Sequence, residues 1–553
     1  MEIKNKFINA IFGVLLIGSP GFAQNLGDAK KAIDAEQYQK SKTLLKALTL
    51  SQPTNAENFF YLGNVYLGTD YIDSAKAAYK NGINANANFP LNYVGLGAAD
   101  LALNLSNPKS HFDKALSLTG KKDHHTLLFI GKAYSGAPKP DASAAVAALE
   151  KAKAINSKDA EVYLALGDAY RAQQKNSEAF SNYRTAFDLN KNLLRAKVEM
   201  GVLNKLSKAY PEAVTELNEV VALDPNYGPA YRELAEAYYW WGNAESSKWD
   251  ERITQALKSY EKYMDLTDRS LESRERHATF LILAKKYKEL EAEANAMAQM
   301  DKTNPRIFRY LGYSAYENGN YPASVKALND FLSKIDTSRI IPRDYVYLGR
   351  ALIKISGSEA EGIKNLKKAI DLDSTNVQIT GEIGKTLYAA RKFADAATIF
   401  EIAVTNPTSK TRAYDSFYLG MSHYFNYAGQ VKEKQSPDKT LLARADSAFS
   451  YVIKAVPANP DSYLYRARIK NIVDTQEPKL GLMVPDYTKY VEVVLAKPDA
   501  GSDSRKNSLI EAYNVLGAFH SRSNSEKAKD YFKSTLQLNP SDEYALSALK
   551  SLN

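Results

Sequence analysis

A small residue recurs at intervals of 34. Gly63, Gly97 and Gly131 form one run, Gly167 and Gly201 another, and Ala29 and Ala235 continue the series at either end. The surroundings of this mark recur with it. An aromatic stands four residues before it (Phe59, Tyr93, Tyr163, Tyr231, then Phe308, Tyr345 and Tyr513) and an apolar residue directly before it (Leu62, Leu96, Ile130, Leu166, Leu311, Leu348, Ile383, Leu419, Leu516). Tyr66, Tyr134, Tyr170 and Tyr238 follow it by three. Twelve residues after the mark comes Ala, with an aromatic or Leu four further on: Ala75/Tyr79, Ala179/Tyr183, Ala213/Leu217 and Ala396/Phe400. Ala256/Tyr260, Ala445/Phe449 and Ala528/Phe532 repeat the pair after an altered connection. Offsets of three and four lie on one helical stripe, so each period reads as two amphipathic helices. The mark is small because the helices cross there and their backbones approach closely. Pro53, Pro225, Pro305, Pro457 and Pro540 stop second helices, since Pro lacks the donor and disfavours helix at the preceding residue. One such pair cannot bury its apolar stripe alone and must stack on its neighbours.

This pattern resembles that of tetratricopeptide repeats, with the family's period and its aromatic, Leu-Gly, Tyr, Ala, aromatic and Pro positions. About fourteen repeats fit between Leu26 and Leu552. The resemblance implies an all-α fold, a right-handed α-solenoid. Three stretches depart from the pattern. Tyr239 to Thr254, with Trp240, Trp241 and Trp249, adds residues between paired helices, and Asn426 to Leu441 lengthens another repeat. In the atypical repeat near 463–494, Arg466-Ala467-Arg468 replaces Leu-Gly; it is similar to terminal repeats of exported tetratricopeptide proteins of the Bacteroidota. Charge is dense and the spacing slips at Asp268 to Arg276, so a joint is expected there, dividing an N-terminal subarray (24–268) from a C-terminal one (269–553) that ends in a capping helix from Asp542.

The N-terminus carries a different signal. Lys4 and Lys6 precede an apolar stretch, Phe7 to Ile17, and Gly21 and Ala23 are small residues at −3 and −1 of a cut before Gln24. Residues 1–23 therefore read as a secretory signal peptide, and the mature chain is expected to be exported, soluble, and periplasmic or secreted. No later segment reaches the roughly 18 consecutive apolar residues of a transmembrane helix. The chain of 553 residues has no Cys, which excludes disulfides, thiolate metal sites, Fe–S clusters and a cysteine nucleophile. A hydrophobic content of 45% and a charged content of 24% exclude wholesale disorder. The net charge of +9 favours acidic partners. Nucleic acid fits that charge but not export.

Chemistry-bearing motifs are scarce, and no cofactor, metal or catalytic set is expected. Gly381-Glu382-Ile383-Gly384-Lys385-Thr386 ends like a phosphate loop, but Ile379 stands where the motif needs Gly and the segment falls within a first helix. Gly420-Met421-Ser422-His423-Tyr424 lacks the last Gly of a nucleophile elbow. His124 and His125 cannot face one way on a helix, and no carboxylate shows metal spacing to them, so they read as a solvated helix start.

The family resemblance places ligands on the concave face, at first-helix positions three before, one after and four after the mark. In later repeats these hold Arg232, Glu236 and Tyr239; Arg309, Tyr313 and Tyr316; Arg350 beside Tyr347; Lys385 and Tyr388; Met421 and Tyr424; and Arg468. In early repeats they hold the blander Phe60, Asn64, Leu67, Val94, Ala98 and Leu101. The 37 Tyr exceed what packing positions need, and a Tyr surplus suits recognition. The family's carboxylate clamp of Lys and Asn is absent, because Asn64 pairs with Phe60. The expected partner site is therefore Arg232, Tyr239, Arg309, Tyr313, Tyr316, Arg350, Lys385 and Tyr388, a basic and aromatic strip whose truncation should spare the fold. The expected function is a non-enzymatic scaffold of the periplasm or cell envelope that binds a peptide or partner protein. The alternatives are a solenoid that binds glycan or cell-wall polymer and an enzyme with an undetected site.

Overall fold

A computed structural model describes residues 25–105, 107–499 and 502–552; the expected signal peptide lies outside them. Among the described residues there are twenty-nine α-helices and no strand. They form fourteen consecutive pairs, such as Ala56–Gly68 with Ile72–Ala85 and Ala160–Ala172 with Asn176–Leu189, followed by the single helix Glu543–Leu552. Side chains eight residues before the mark cap first helices: Asn55 accepts from the Glu57 amide at 3.1 Å and Asp159 from the Glu161 amide at 2.9 Å. The turn inside many pairs closes on a left-handed residue seven after the mark, as at Glu36, Asp70, Asn104, Gln174 and Lys208. The next amide then reaches back into the first helix; that of Tyr71 donates to the Tyr66 carbonyl at 2.8 Å.

The mark is small for a reason that refines the expectation. A Cβ on Gly63 would lie 2.2 Å from the Tyr79 ring, and one on Gly167 would lie 2.3 Å from the Tyr183 ring. The glycine thus receives a ring from the second helix of its own pair. Backbone meets backbone at Gly349 and Gly362, where each added Cβ would lie 2.8 Å from the other's carbonyl oxygen. The ring that fills the notch is itself anchored: Tyr79 donates to Asn64 Oδ1 at 2.8 Å and Tyr183 to Asp168 Oδ1 at 2.9 Å. Ala75 and Ala179 are fully buried beside these rings.

The described residues divide into two compact units between Met300 and Asp301. The segment Asp268 to Arg276 lies inside the first. The extra residues after Tyr238 do not make a long connection. They extend the first helix, Gly228–Ala244, and after a short 3-10 turn begin the second, Trp249–Leu266, where Arg252 stacks 3.6 Å over the Trp241 ring. The insertion after Asn426 likewise lengthens the helix Arg412–Lys432. The atypical repeat keeps two helices, Pro460–Val473 and Val484–Leu495. Its loop is organised by Asp474, whose carboxylate accepts the amides of Leu480, Gly481 and Leu482 at 3.0, 2.8 and 3.2 Å. Arg466 and Arg468, which flank the buried mark Ala467, pair with Asp486 and Glu511. In the last helix Ala545, Ala548, Leu549 and Leu552 pack on Ala528 and Phe532, and Glu543, Ser547 and Lys550 face outward.

Gly167→Ala should cost about 1–3 kcal/mol by overpacking against Tyr183. The penalty should shrink in a Tyr183→Leu background, because Leu217 fills the equivalent notch at Gly201. Chemical denaturation of the four proteins of this cycle measures the coupling, and hydrogen exchange should localise it to residues 160–189.

Candidate functional site

The inner wall of the first unit is built from positions two before and one after the mark. Tyr61 and Phe129 occupy the first of these, Lys30 and Lys132 the second. Each lysine reaches a carboxylate on the next or next stacked first helix. Lys30 donates to Glu57 at 2.9 Å and lies 4.3 Å over the Tyr61 ring; Lys132 donates to Glu161 at 2.5 Å and lies 5.4 Å over Phe129. The ladder continues with Arg171 to Glu199, Arg195 to Asp168 at 2.7 Å, and Lys205 to Glu233 at 2.5 Å. Lys132 holds the Glu161 carboxyl below its ordinary range, whereas burial pushes Glu199 up against the pull of Arg171 and Arg195. Between these rungs lies a cavity of about 600 Å³, lined by Lys30, Glu36, Tyr38, Tyr61, His125, Phe129, Lys132, Asp159, Glu161 and Arg195 among others. A second cavity of about 490 Å³ shares Lys132 and Arg195 with it and runs on to Asp168 and Arg171.

The first helix pair closes the wall by reaching the seventh. Glu36 accepts from Arg232 and, at 3.0 Å, from the Tyr263 hydroxyl. Gln37 Nε2 donates to the Leu266 carbonyl at 3.2 Å, and the Gln39 amide donates to Asp268 at 2.7 Å.

The residues expected to form the partner site fall in different places. Arg232 and Tyr239 belong to the first unit, and Arg232 is held by Glu36 and by Glu233 at 3.1 Å. Tyr239 is half-buried beside Trp240, Trp249 and Phe280, with Arg276 5.3 Å over its ring. The remaining six lie in the second unit. Arg309 is forked onto Asp344 by two bonds of 2.8 Å, and Tyr313 donates to the same carboxylate at 2.6 Å. Tyr313 is only 2% exposed, and Asp344 is fully buried. Tyr313 also stacks on Tyr347 at 4.2 Å, with Tyr316 edge-on to that ring at 5.3 Å. Arg350 faces Glu382 at 3.8 Å, and Lys385 lies 4.1 Å over the Tyr414 ring. Tyr388 sits among Phe393, Tyr418 and Phe425, and burial pushes its phenol up to about 12.

Truncating Arg309 or Tyr313 would therefore not spare the fold, which corrects the expectation for these two. Tyr313, one after its mark, is buried because Asp344 takes its hydroxyl and Tyr347 covers its ring; for Arg309 the physical cause is a register error. A residue three before the mark shares its stripe and turns toward the core, as the buried Phe60, Val94, Leu128, Leu164 and Val198 do. The early wall is also less bland than expected: Tyr61 and Phe129 were missed because position −2 was not counted as inner, and Arg195, six before Gly201, lies outside the positions counted. The signal was present as aromatic residues two before Gly63 and Gly131.

Two motifs with catalytic echoes lie inside helices. Gly384, within Thr380–Ala389, receives the Phe400 ring, and Gly420, within Arg412–Lys432, receives that of Phe449. The histidine pair does stand at a helix start, with His125 exposed, but its geometry differs from the expectation. His124 is the N-cap residue of the helix His125–Ser135, so the two rings lie side by side, 4.2 Å apart, and Asp159 of the next repeat supplies a carboxylate.

Period, notch and helix pairing agree. The chain resembles the tetratricopeptide-repeat proteins. Solved structures of three such or similar proteins align with parts of it. The C-terminal part of a tetratricopeptide-repeat protein from Cytophaga hutchinsonii is 27% identical, covers 50% of this chain and 99% of its own, and has a TM-score of 0.35. PilF of Pseudomonas aeruginosa is 18% identical over 38% of this chain and 90% of its own, with a TM-score of 0.32. A tetratricopeptide-repeat protein of Parabacteroides merdae is 16% identical over 46% and 94%, with a TM-score of 0.31. No protein-family model and no curated protein matches the chain. The resemblance rests on the chain's own period and pairing.

Arg309→Ala should lower stability by about 3–5 kcal/mol, because it strands the buried Asp344 carboxylate. Arg350→Ala, which loses only a long contact to the exposed Glu382, should change it by less than about 1 kcal/mol. Thermal melts of the two variants compare them directly.

Proposed function

We propose that this chain is an exported, non-enzymatic tetratricopeptide-type scaffold that receives an extended peptide segment of a partner protein along the inner wall of its first unit. The observation that carries the reading is the pair of adjoining cavities that share Lys132 and Arg195. Their volumes suit side chains of a bound segment, and their amine–carboxylate pairs match the alternating donors and acceptors of a peptide backbone. A glycan site would instead offer open ring faces. In the second unit, ring faces are taken up by one another, as with Tyr313 on Tyr347 and Phe400 on Tyr418 at 5.8 Å. The wall's cations are largely neutralised by its own carboxylates, so recognition would rest on hydrogen-bond exchange and apolar contact more than on an acidic partner. Export rests on Lys4, Lys6, the apolar stretch Phe7 to Ile17 and the small Gly21 and Ala23.

Peptides selected from a displayed library on the protein should lose 2 kcal/mol or more of binding, on the order of a hot-spot pair, when Tyr61 and Lys132 are changed to Ala. Arg350→Ala and Lys385→Ala should leave them bound. The reverse pattern would move the site to the second unit. N-terminal sequencing of the protein recovered from the native envelope should begin at Gln24; an uncut chain would sink the export reading.

A further inference from the structure

His124, His125 and Asp159 bring two imidazoles and a carboxylate together at the edge of the larger cavity. One ligand-capable atom from each lies within 4.8 Å of the other two. His124 Nε2 stands 2.8 Å from Asp159 Oδ2, and the Asn156 amide nitrogen stands 3.2 Å from the same Nε2. Asn156 is oriented by the Lys158 amide, which donates to its Oδ1 at 3.1 Å, so its NH₂ points at the imidazole nitrogen. That nitrogen cannot accept from Asn156 and donate to Asp159 at once. In the tautomer protonated at Nε2 a proton bridges the imidazole to Asp159, and a metal ion bound there would take that proton's place.

We propose that His124, His125 and Asp159 form a binding site for a divalent transition metal of the zinc type. The donor set of imidazole and carboxylate is the one Zn²⁺ takes at metal–ligand distances of about 2.0–2.2 Å, which puts two ligands of a tetrahedral ion about 3.3–3.6 Å apart, so the 2.8 Å pair would open by about half an ångström on binding. The site is also held in place. The Asp159 Oδ1 atom is fixed by the Glu161 amide as an N-cap, which leaves Oδ2 aimed at the histidines. Asp123 fixes the other side, accepting the His125 amide at 2.9 Å and the Thr126 hydroxyl at 2.7 Å. The ion would join the first helices of the fourth and fifth pairs. His125 and Asp159 both line the cavity, so three protein ligands leave a further coordination position toward it.

Background binding is low by composition, because the chain has no Cys and its other four histidines are separated in sequence. The test is calorimetric titration of the full chain, free of any His tag, with ZnCl₂. One ion should bind per chain. His125→Ala should weaken binding by about tenfold or more, and so should Asp159→Asn, which keeps the cap acceptor but removes the ligand oxygen. Circular dichroism should show both variants folded without metal, and His277→Ala should bind like the unaltered chain. Absence of zinc binding in the unaltered chain would overturn the proposal. So would unchanged affinity in either His125→Ala or Asp159→Asn.

Discussion

The contact between a small residue, most often Gly, on one helix and a large side chain on the next sets the geometry of the repeats. Tyr79 over Gly63 and Tyr183 over Gly167 bring their helices closer than any Cβ would permit. Because a helix turns by 3.6 residues, fixing the mark against its partner also fixes where the other positions point. The residue three before the mark is drawn into the core, and in the first unit Tyr61 and Phe129, two before it, and Lys30 and Lys132, one after it, are turned to the inner wall. The wall is thus a by-product of the notch.

That wall has different chemistry in the two units. In the first, amines and carboxylates alternate along the stack, each rung tying one repeat to a neighbour, with Lys132 to Glu161 as the type. Pairs half-exposed to solvent contribute little to stability on average, so the ladder is better suited to fixing the spacing of repeats and presenting donors and acceptors at regular intervals. In the second unit the same positions carry more rings, and the rings satisfy one another. Asp344 draws Arg309 and Tyr313 into a buried knot, and Tyr388 is enclosed by aromatic neighbours. A side chain spent on such a knot is not available to a partner.

Much of this architecture was legible in the residues. The interval of Gly63, Gly97 and Gly131 implied helix pairs because a notch and a stripe are local features that sequence encodes directly. The inner wall was legible only in part. Arg309 and Tyr313 look like recognition residues, and the acid that claims them, Asp344, lies on the next repeat, 35 and 31 residues away. The clustering of the histidine pair with Asp159 was hidden for a similar reason. Adjacent residues diverge inside a helix, but His124 precedes the first turn, and Asp159 is brought to it by stacking. Left-handed residues such as Gln174 and Lys208 went unnoticed because the turns use ordinary polar residues where Gly would have flagged them. Sequence shows what each repeat does within itself; what one repeat takes from another depends on the stack.

The clasp between residues 36–39 and residues 232–268 spans 196 to 229 positions of sequence, whereas most other links among the described residues are between neighbouring pairs or nearly so. Nearest-neighbour stacks can grow as the chain is made, but a long-range closure must wait for its distant half. In a polypeptide that emerges N-terminus first, Glu36 and Gln39 would be exposed until Arg232 and Asp268 have arrived. Glu36, which helps to line the larger cavity, is therefore held in place only when more than half of its own unit stands assembled. That closure marks a point in biosynthesis, and an interrupted chain ending before Arg232 would present an open spiral in place of an enclosed wall.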